Sequence, residues 1–514
     1  MKTGVIIILA LSCGVTSLRA QTLEQEILLL SGASSMEELD GSVIERLEDL
    51  AAHPIPINTT TRSRLLGCGL FSAFQVASLI DYREHSGDIL SFAELGTVDG
   101  FNEVVAGALR HFVSLESGRS PGEAALRAAD RLQLQSKGGV SGKKWSAAAK
   151  VLYEHEERLS LRAAYKNSLS GALEYSNRSR NLSFIIGDFA ARFGQGMMQW
   201  SGFSLGGYPS ISSFMKKGSG IAPAWTYSPD NYLRGAAVVW EERTDEVSTY
   251  ATLDGKAGAH YGHFWKNGQA GAGVIYDRGG GWEAAADGRL SVRGFDLFGE
   301  AGFDFSGKEA CSCLGTVWNR SSDLQAAARL SYEKSKPAAS AALRYKTHFL
   351  SFEAGPARLR LLLQSTLPLG RGLSLALRLV ETRKPGDRIK HDFRTDLSVE
   401  RGNLAFVWRS NILFYRALAQ LHYAEAAYKS GKAAIYARLT AFSIKNWDDR
   451  IYVYERNAPG SFSVPAYYGT GYAASIYASM KFRHGKFYLR TEYMKSDRND
   501  GKFGLNASCI IDIL

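Results

Sequence analysis

From Arg131 to the C-terminus the side chains change character at every second residue, in segments of about ten, for almost 400 residues. Over 471–483, Tyr472, Ala474, Ile476, Ala478, Met480 and Phe482 make one face. Ala473, Ser475, Tyr477, Ser479, Lys481 and Arg483 make the other. Phe487, Leu489 and Tyr493 alternate with Tyr488, Arg490 and Glu492 in the same way, and Phe503, Leu505, Ala507, Cys509, Ile511 and Ile513 with Asn506, Ser508 and Asp512. A period of two belongs to strands. One apolar and one polar face per strand suits a wall between lipid and an aqueous lumen. In hydrocarbon every backbone polar group needs a partner, so such a sheet has to close on itself. A soluble sandwich or propeller would need several cores or a blade repeat over this length, and neither is visible. Only 12 prolines interrupt the chain, and 24 Tyr, 25 Phe and 9 Trp supply interfacial girdles. The expected fold is therefore mainly β: a large antiparallel transmembrane β-barrel of about 20–24 strands, even in number, over residues 129–514.

What precedes the barrel differs. Lys2, the apolar run 5–11 and Ser17-Leu18-Arg19-Ala20-Gln21 predict a signal peptide over residues 1–20, cleaved after Ala20. Cys13 fits a lipidation site poorly. Mean hydropathy is −0.16 and no internal run is long enough for a transmembrane helix. Residues 21–116 read as a small all-α domain, with helices over 23–50, 61–66, 74–84, 92–95 and 103–113. Ser117 to Gly122 opens a linker over 117–128. Cys68, Cys311, Cys313 and Cys509 are too few for a disulfide framework, and Cys311 and Cys313 share one strand face too closely for a relaxed bridge. No spacing calls for a metal or a cofactor. Charge divides with the domains: residues 23–120 carry 6 basic and 15 acidic side chains, net −9, and residues 121–514 carry 53 and 36, net +17. Such asymmetry suggests two environments or two partners.

Most local motifs have bland readings. Gly202-Phe203-Ser204-Leu205-Gly206 matches the G-x-S-x-G nucleophile elbow but lacks its strand-turn-helix context. Gly138 to Lys143 imitates a phosphate loop and reads better as a hairpin. His260 and His263 fall on opposite faces of a strand, His155 sits in a charged hairpin tip, and Asp448-Asp449 sits in a loop where solvation is expected. The stretch from Arg192 to Asn231 is different. It is long, rich in Gly, Ser and aromatics, and without alternation, and long loops of this kind are often functional. Folded inward it would narrow a lumen, with Arg192, Gln195, Trp200, Lys216, Lys217 and Arg234 as the candidate constriction. A solvent-exposed loop is the alternative.

Residues 55–115 carry a tandem pattern. Leu70-Phe71-Ser72-Ala73 stands where a hairpin precedes Ala77 and Ile80, and Asp99-Gly100-Phe101-Asn102 forms a second hairpin. Between them lie Ile80 to Gly87 and Leu90 to Leu95. This resembles the tandem helix-hairpin-helix domains of competence-type DNA receptors. It is more similar to exported helix-hairpin-helix proteins of Gram-negative bacteria in which that domain precedes an outer-membrane barrel, and Gly187-Asp188-Phe189 and Phe193-Gly194-Gln195-Gly196 look like that family's early-barrel signature. The resemblance implies architecture and location more than activity. The first hairpin has lost both glycines that bring backbone N–H groups to a phosphate. Residues 54–116 hold four arginines, no lysine and seven carboxylates, which disfavours phosphate neutralisation.

These readings together predict an outer-membrane barrel acting as a channel, translocation pore or assembly partner, not an enzyme, with its helical domain in the periplasm docking a protein. Its expected partners are outer-membrane lipid and lipopolysaccharide, the barrel assembly machinery and a periplasmic or outer-membrane protein. The hairpin turns are the candidate contact residues. The +17 portion favours anionic solutes or lipopolysaccharide through lumen and surface charge. A DNA-uptake component whose helical domain binds DNA is the alternative, and a membrane-embedded hydrolase a third.

Overall fold

The computed structural model describes residues 23–116, 130–155, 158–370, 372–461 and 464–513. The expected signal peptide and linker lie outside them. Twenty-four strands form one closed antiparallel barrel. Each pairs with its sequence neighbour, and the first strand, Arg131–Ser141, closes on the last, Asn499–Asp512, through Gly504↔Ser141 to Asp512↔Gln133. The fifth strand, Leu182–Arg192, pairs with the sixth, Leu233–Glu242, along most of its length. Its last residues pair instead with a short inserted strand, Gly220–Pro223. Because strands alternate in direction, residues 130 and 513 share one rim, here called the terminal rim. Segments 193–232 and 445–468 both return from the far rim.

Alternation places side chains as the sequence predicts. In Lys144–His155, Ala148, Lys150, Leu152 and Glu154 are buried inward, while Trp145 is exposed outward. The outward side chains align across strands into an apolar band, Leu343↔Leu350↔Leu363↔Leu379↔Phe393↔Ile412. Trp240, Trp265, Phe295 and Tyr345 lie outward near the terminal rim. Trp145, Tyr276, Trp282 and Tyr332 lie outward near the far rim. An apolar belt between two aromatic girdles is the outer surface of a membrane-spanning barrel.

Residues 23–116 fold into six helices: α1 Leu23–Ser31, α2 Gly41–Ala52, α3 Arg62–Gly67, α4 Ala73–Ser86, α5 Phe92–Leu95 and α6 Glu103–Ala108. A two-residue parallel pair, Ile55↔Val113 and Pro56↔Ser114, ties the start of this domain to its end. Asn58 braces it, exchanging two 2.9 Å hydrogen bonds with the Ile89 backbone. Ile27, Leu47, Ile57, Leu65, Phe74, Leu79, Leu95 and Phe112 form its core. Two expected helices are shorter. The one over 23–50 breaks at Gly32, whose φ of +76° leaves the helical region, and restarts where Asp40 accepts from the Ser42 N–H. The last stops at Ala108 instead of reaching residue 113.

The larger correction is position. The helical domain occupies the barrel lumen instead of standing outside its mouth. Its core takes in Phe264 from the wall and packs against Phe203, Leu205 and Tyr454 of the two far-rim segments. A barrel of 24 strands leaves a lumen wide enough to hold a folded plug.

Candidate functional site

Opposite charge seats the plug. Glu37 and Glu38 lie in a single 3-10 turn, Met36–Glu38, between α1 and α2. Glu37 meets Arg409 at 2.5 Å and Arg394 at 3.2 Å, and Asp396 sits between the same two guanidiniums. Glu38 meets Arg378 at 2.7 Å, and Glu24 pairs with Arg456. On α2, Glu45 receives Lys150 at 2.9 Å and Asp49 receives Arg131 at 3.3 Å. The sign reverses at α3, where Arg62 reaches Glu246 at 3.0 Å and Arg64 reaches Glu154 at 3.1 Å, both carboxylates of the wall. This alternation of sign fixes the rotational setting of the plug, because a turned plug would set like charges together. Burial alone would raise the Glu37 carboxyl, but Arg409 and Arg394 outweigh it and hold it well below the usual carboxylate range.

The segment 193–232 folds into the lumen and packs between plug and wall. Ile211 and Phe214 pack on Phe298, Val317, Ala327 and Ala342 of the wall, while the Ala73 N–H donates to Gly218 O at 2.8 Å. Its beginning is anchored by one carboxylate. Glu300 accepts the backbone N–H groups of Gln195 at 2.6 Å and of Met197 and Met198 at 3.1 Å. Gly194 and Gly196, with φ of +54° and +67°, turn those N–H groups toward one point. Phe193-Gly194-Gln195-Gly196 is thus a backbone nest for Glu300, a role that the spacing of its glycines did not disclose.

Five of the six candidate constriction residues line this inner layer. Gln195 accepts from the Lys216 N–H, Lys216 and Arg192 lie over the Trp200 ring, and Lys217 donates to Leu30 O of α1 at 2.8 Å. Burial lowers the Lys217 ammonium to about 8. Arg234 does not belong with them. It has the outward parity of Ala236 and Trp240, and it pairs at 2.6 Å with Asp188, whose carboxylate also accepts the Gly171 N–H.

The hairpin turns are not free surfaces either. Leu70, Phe71, Ser72 and Ala73 are all buried. Ser72 forms a capping box with Gln75, and the Ala73 N–H is already committed to Gly218. Gly100 O accepts from Gln75, Phe101 packs edge-on against Phe71, and Asn102 caps α6 through the Val105 N–H. Asp99 is half-buried there, and its carboxyl is pushed up by desolvation. The two turns thus contact each other, and the first is closed off by the inner segment through Gly218.

Other motifs resolve in the same geometry. Residues 202–206 lie in the lumen segment, with Phe203 and Leu205 against the plug, so the elbow context is absent. Residues 138–143 are the first hairpin. His260 and His263 do point apart: His260 stacks on Phe193 at 4.1 Å inside, and His263 meets Asp245 outside. His155 pairs with Asp130 at 2.5 Å, while residues 156 and 157 lie outside the described residues. Asp449 is not solvated but fully buried, accepting the N–H groups of Arg416 and Ala417 at 3.0 Å. It pins the second far-rim segment, from which Glu455 reaches Arg490 and the Tyr454 N–H reaches Glu37.

Near the terminal rim, His53 bridges Asp49 at 3.2 Å and Asp512 at 3.1 Å. Hydrogen bonds to those two carboxylates raise the imidazole to about 9, against opposing desolvation and Arg131. Its contribution to docking is therefore complete below about 6.5 and disappears as pH rises through about 9. Asp49 behaves oppositely. Despite burial, His53 and Arg131 hold it at about 2, so its contribution fades only as pH falls from about 4 toward 2. Protease release of the plug is expected to increase between pH 7 and 10, and His53→Gln should flatten that rise. An unchanged profile in the variant would remove His53 from the account.

No protein-family model matches the sequence, and no curated relative matches it. Among solved structures, the chain is similar to the P pilus usher (PapC) translocation pore, at 8% identity over 75% of this chain and 99% of that one, with a TM-score of 0.39. It is also similar to Pseudomonas aeruginosa OccK3 (OpdO), at 11% identity over 75% and 95% of the two chains with a TM-score of 0.32. For Pseudomonas aeruginosa OpdL the values are 10%, 76% and 98%, with a TM-score of 0.31.

Proposed function

We propose that this protein is an outer-membrane channel whose N-terminal helical domain is its plug, so that passage of large solutes requires the plug to move. The observation that carries the reading is the interface itself. Inward arginines, a lysine and carboxylates of the wall meet opposite charges on the plug, Glu37, Glu38, Glu45, Asp49, Arg62 and Arg64, and those contacts are noncovalent, polar and reversible. A barrel serving only as a membrane anchor has no need of so wide a lumen, nor of a separate domain charged to complement it. Bond-making chemistry has no place in this reading.

The test is flux of large solutes. Liposomes carrying the full-length protein should swell slowly in oligosaccharide, and liposomes carrying the chain without residues 21–116 should swell rapidly. Equal, slow swelling of both, with the shortened barrel confirmed folded by heat-modifiable gel mobility, would overturn the channel reading.

A further inference from the structure

The plug does not fill the lumen evenly. A cavity of about 730 Å³ runs along α2 between the plug and the wall. At the terminal rim it is lined by Arg483, His484 and Asp512, and toward the far rim by Arg192, Tyr232 and Pro459. It therefore extends along the barrel's height beside a docked plug.

Its charges are unequally matched. The carboxylates Glu45, Asp49, Glu154 and Asp512 each hold a cation: Lys150, Arg131, Arg64 and His53 respectively. Glu48 has no such partner within salt-bridge distance among the described residues, and burial raises it to about 7, so near neutral pH it carries only part of a negative charge. Cations exceed their partners. Arg46 on α2 has no carboxylate partner among the described residues, and its Nε is buried without a hydrogen bond. Its guanidinium rests on Gly69, where a Cβ would stand 2.6 Å from Cζ. Arg192 donates to Ser201 O and lies against Gly202, where a Cβ would stand 2.5 Å from Nη2. No carboxylate meets Arg192 either among the described residues. Two guanidiniums whose charges act on one another therefore share this cavity, each seated on a glycine and neither neutralised. Lys481, Arg483 and Lys486 line the terminal part of the same cavity.

We propose that this cavity is a permeation path for small anions, open while the plug remains docked, and that Arg46 and Arg192 form its anion-binding, selectivity-setting pair. The inference rests on the channel reading and adds to it a conducting state that needs no plug movement. A low-dielectric passage lined by uncompensated positive charge concentrates anions and excludes cations. The same two groups repel each other when the passage is empty, so an anion between them relieves a cost built into the docked state.

Single-channel recording of the full-length protein across a potassium chloride gradient tests this. The expected result is a small conductance whose reversal potential reports chloride preference. In the Arg46→Gln, Arg192→Gln double variant the chloride-to-potassium permeability ratio should fall by about tenfold. Protease protection of residues 23–116 should stay at the wild-type level, showing that the plug has not left. Cation preference in the parent protein, or an unchanged ratio in the protected double variant, would overturn the proposal. An electrically silent parent protein would overturn it as well. In that case large-solute flux through the full-length Glu37→Arg variant decides separately whether the channel reading stands.

Discussion

Replacing Glu37 with arginine is expected to release the plug from its seat at pH 7. Glu37 engages two wall arginines at once, Arg409 at 2.5 Å and Arg394 at 3.2 Å, both closer than the second arginine of its neighbour Glu38, Arg360 at 4.0 Å. It also accepts the Tyr454 N–H from the far-rim segment. Removing one partner of a buried ion pair costs about 3–5 kcal/mol, because the remaining charge is left uncompensated. Here two guanidiniums would be left and a third brought against them, with Asp396 divided between the wall pair. The measurement is protease susceptibility of residues 23–116 in detergent-solubilised full-length protein, combined with oligosaccharide flux in liposomes. Cleavage should accelerate by more than tenfold and flux should rise. Glu37→Gln should act in the same direction but less strongly. A Glu37→Arg protein that stays protected and closed would show that the clamp does not hold the plug.

The charge asymmetry behind this prediction was legible in the sequence, but its meaning was not. Net charges of −9 and +17 suggested two environments or two partners. The structure pairs carboxylates of the acidic half with cations of the basic half, which leaves fewer wall cations free for a solute than the sum implies. A sharper signal was present. Arg378, Arg394, Arg409 and Arg438 occupy the inward parity of four strands in the alternating region. Arginines repeated on an inward face require either water or carboxylates, and Glu37, Glu38, Glu45 and Asp49 stood unassigned near the N-terminus. Strand parity itself was readable because it depends only on nearest neighbours. Arg234 was misplaced for a related reason: it is the second residue of a strand that follows a long irregular segment, so no preceding alternation fixed which way it points. Asp449 was misread because burial comes from contacts more than thirty residues away, at Arg416 and Ala417. The tandem helical pattern gave the helices and turns, while the position of the domain depended on pairings hundreds of residues distant.

The loop nest gives the second large effect. In Glu300→Gln the acceptor of three N–H groups loses its charge, and one of its two oxygens becomes an amide nitrogen facing donors. Hydrogen bonds to a charged group are each worth about 1.5–3 kcal/mol. Losing the charge together with at least one of the three bonds should free the beginning of the inner segment while leaving the barrel closed. The expected result is faster amide exchange over residues 193–201, with protection in the neighbouring strand Phe295–Asp304 unchanged. Gly196→Ala approaches the same contact from the other side. A Cβ there would stand 2.8 Å from the Trp200 ring and would strain a φ of +67°. It should therefore raise exchange over the same residues without touching the carboxylate. If Gly196→Ala loosens the segment and Glu300→Gln does not, backbone shape anchors the loop and the carboxylate is incidental. If both do, the nest and its anion act as one unit. Because Lys217 of this segment donates to Leu30 O of α1, loosening should also reach the plug, and large-solute flux should rise in both variants, though less than in Glu37→Arg. The order of those three fluxes separates a plug held mainly by its own ion pairs from one held mainly by the segment beneath it.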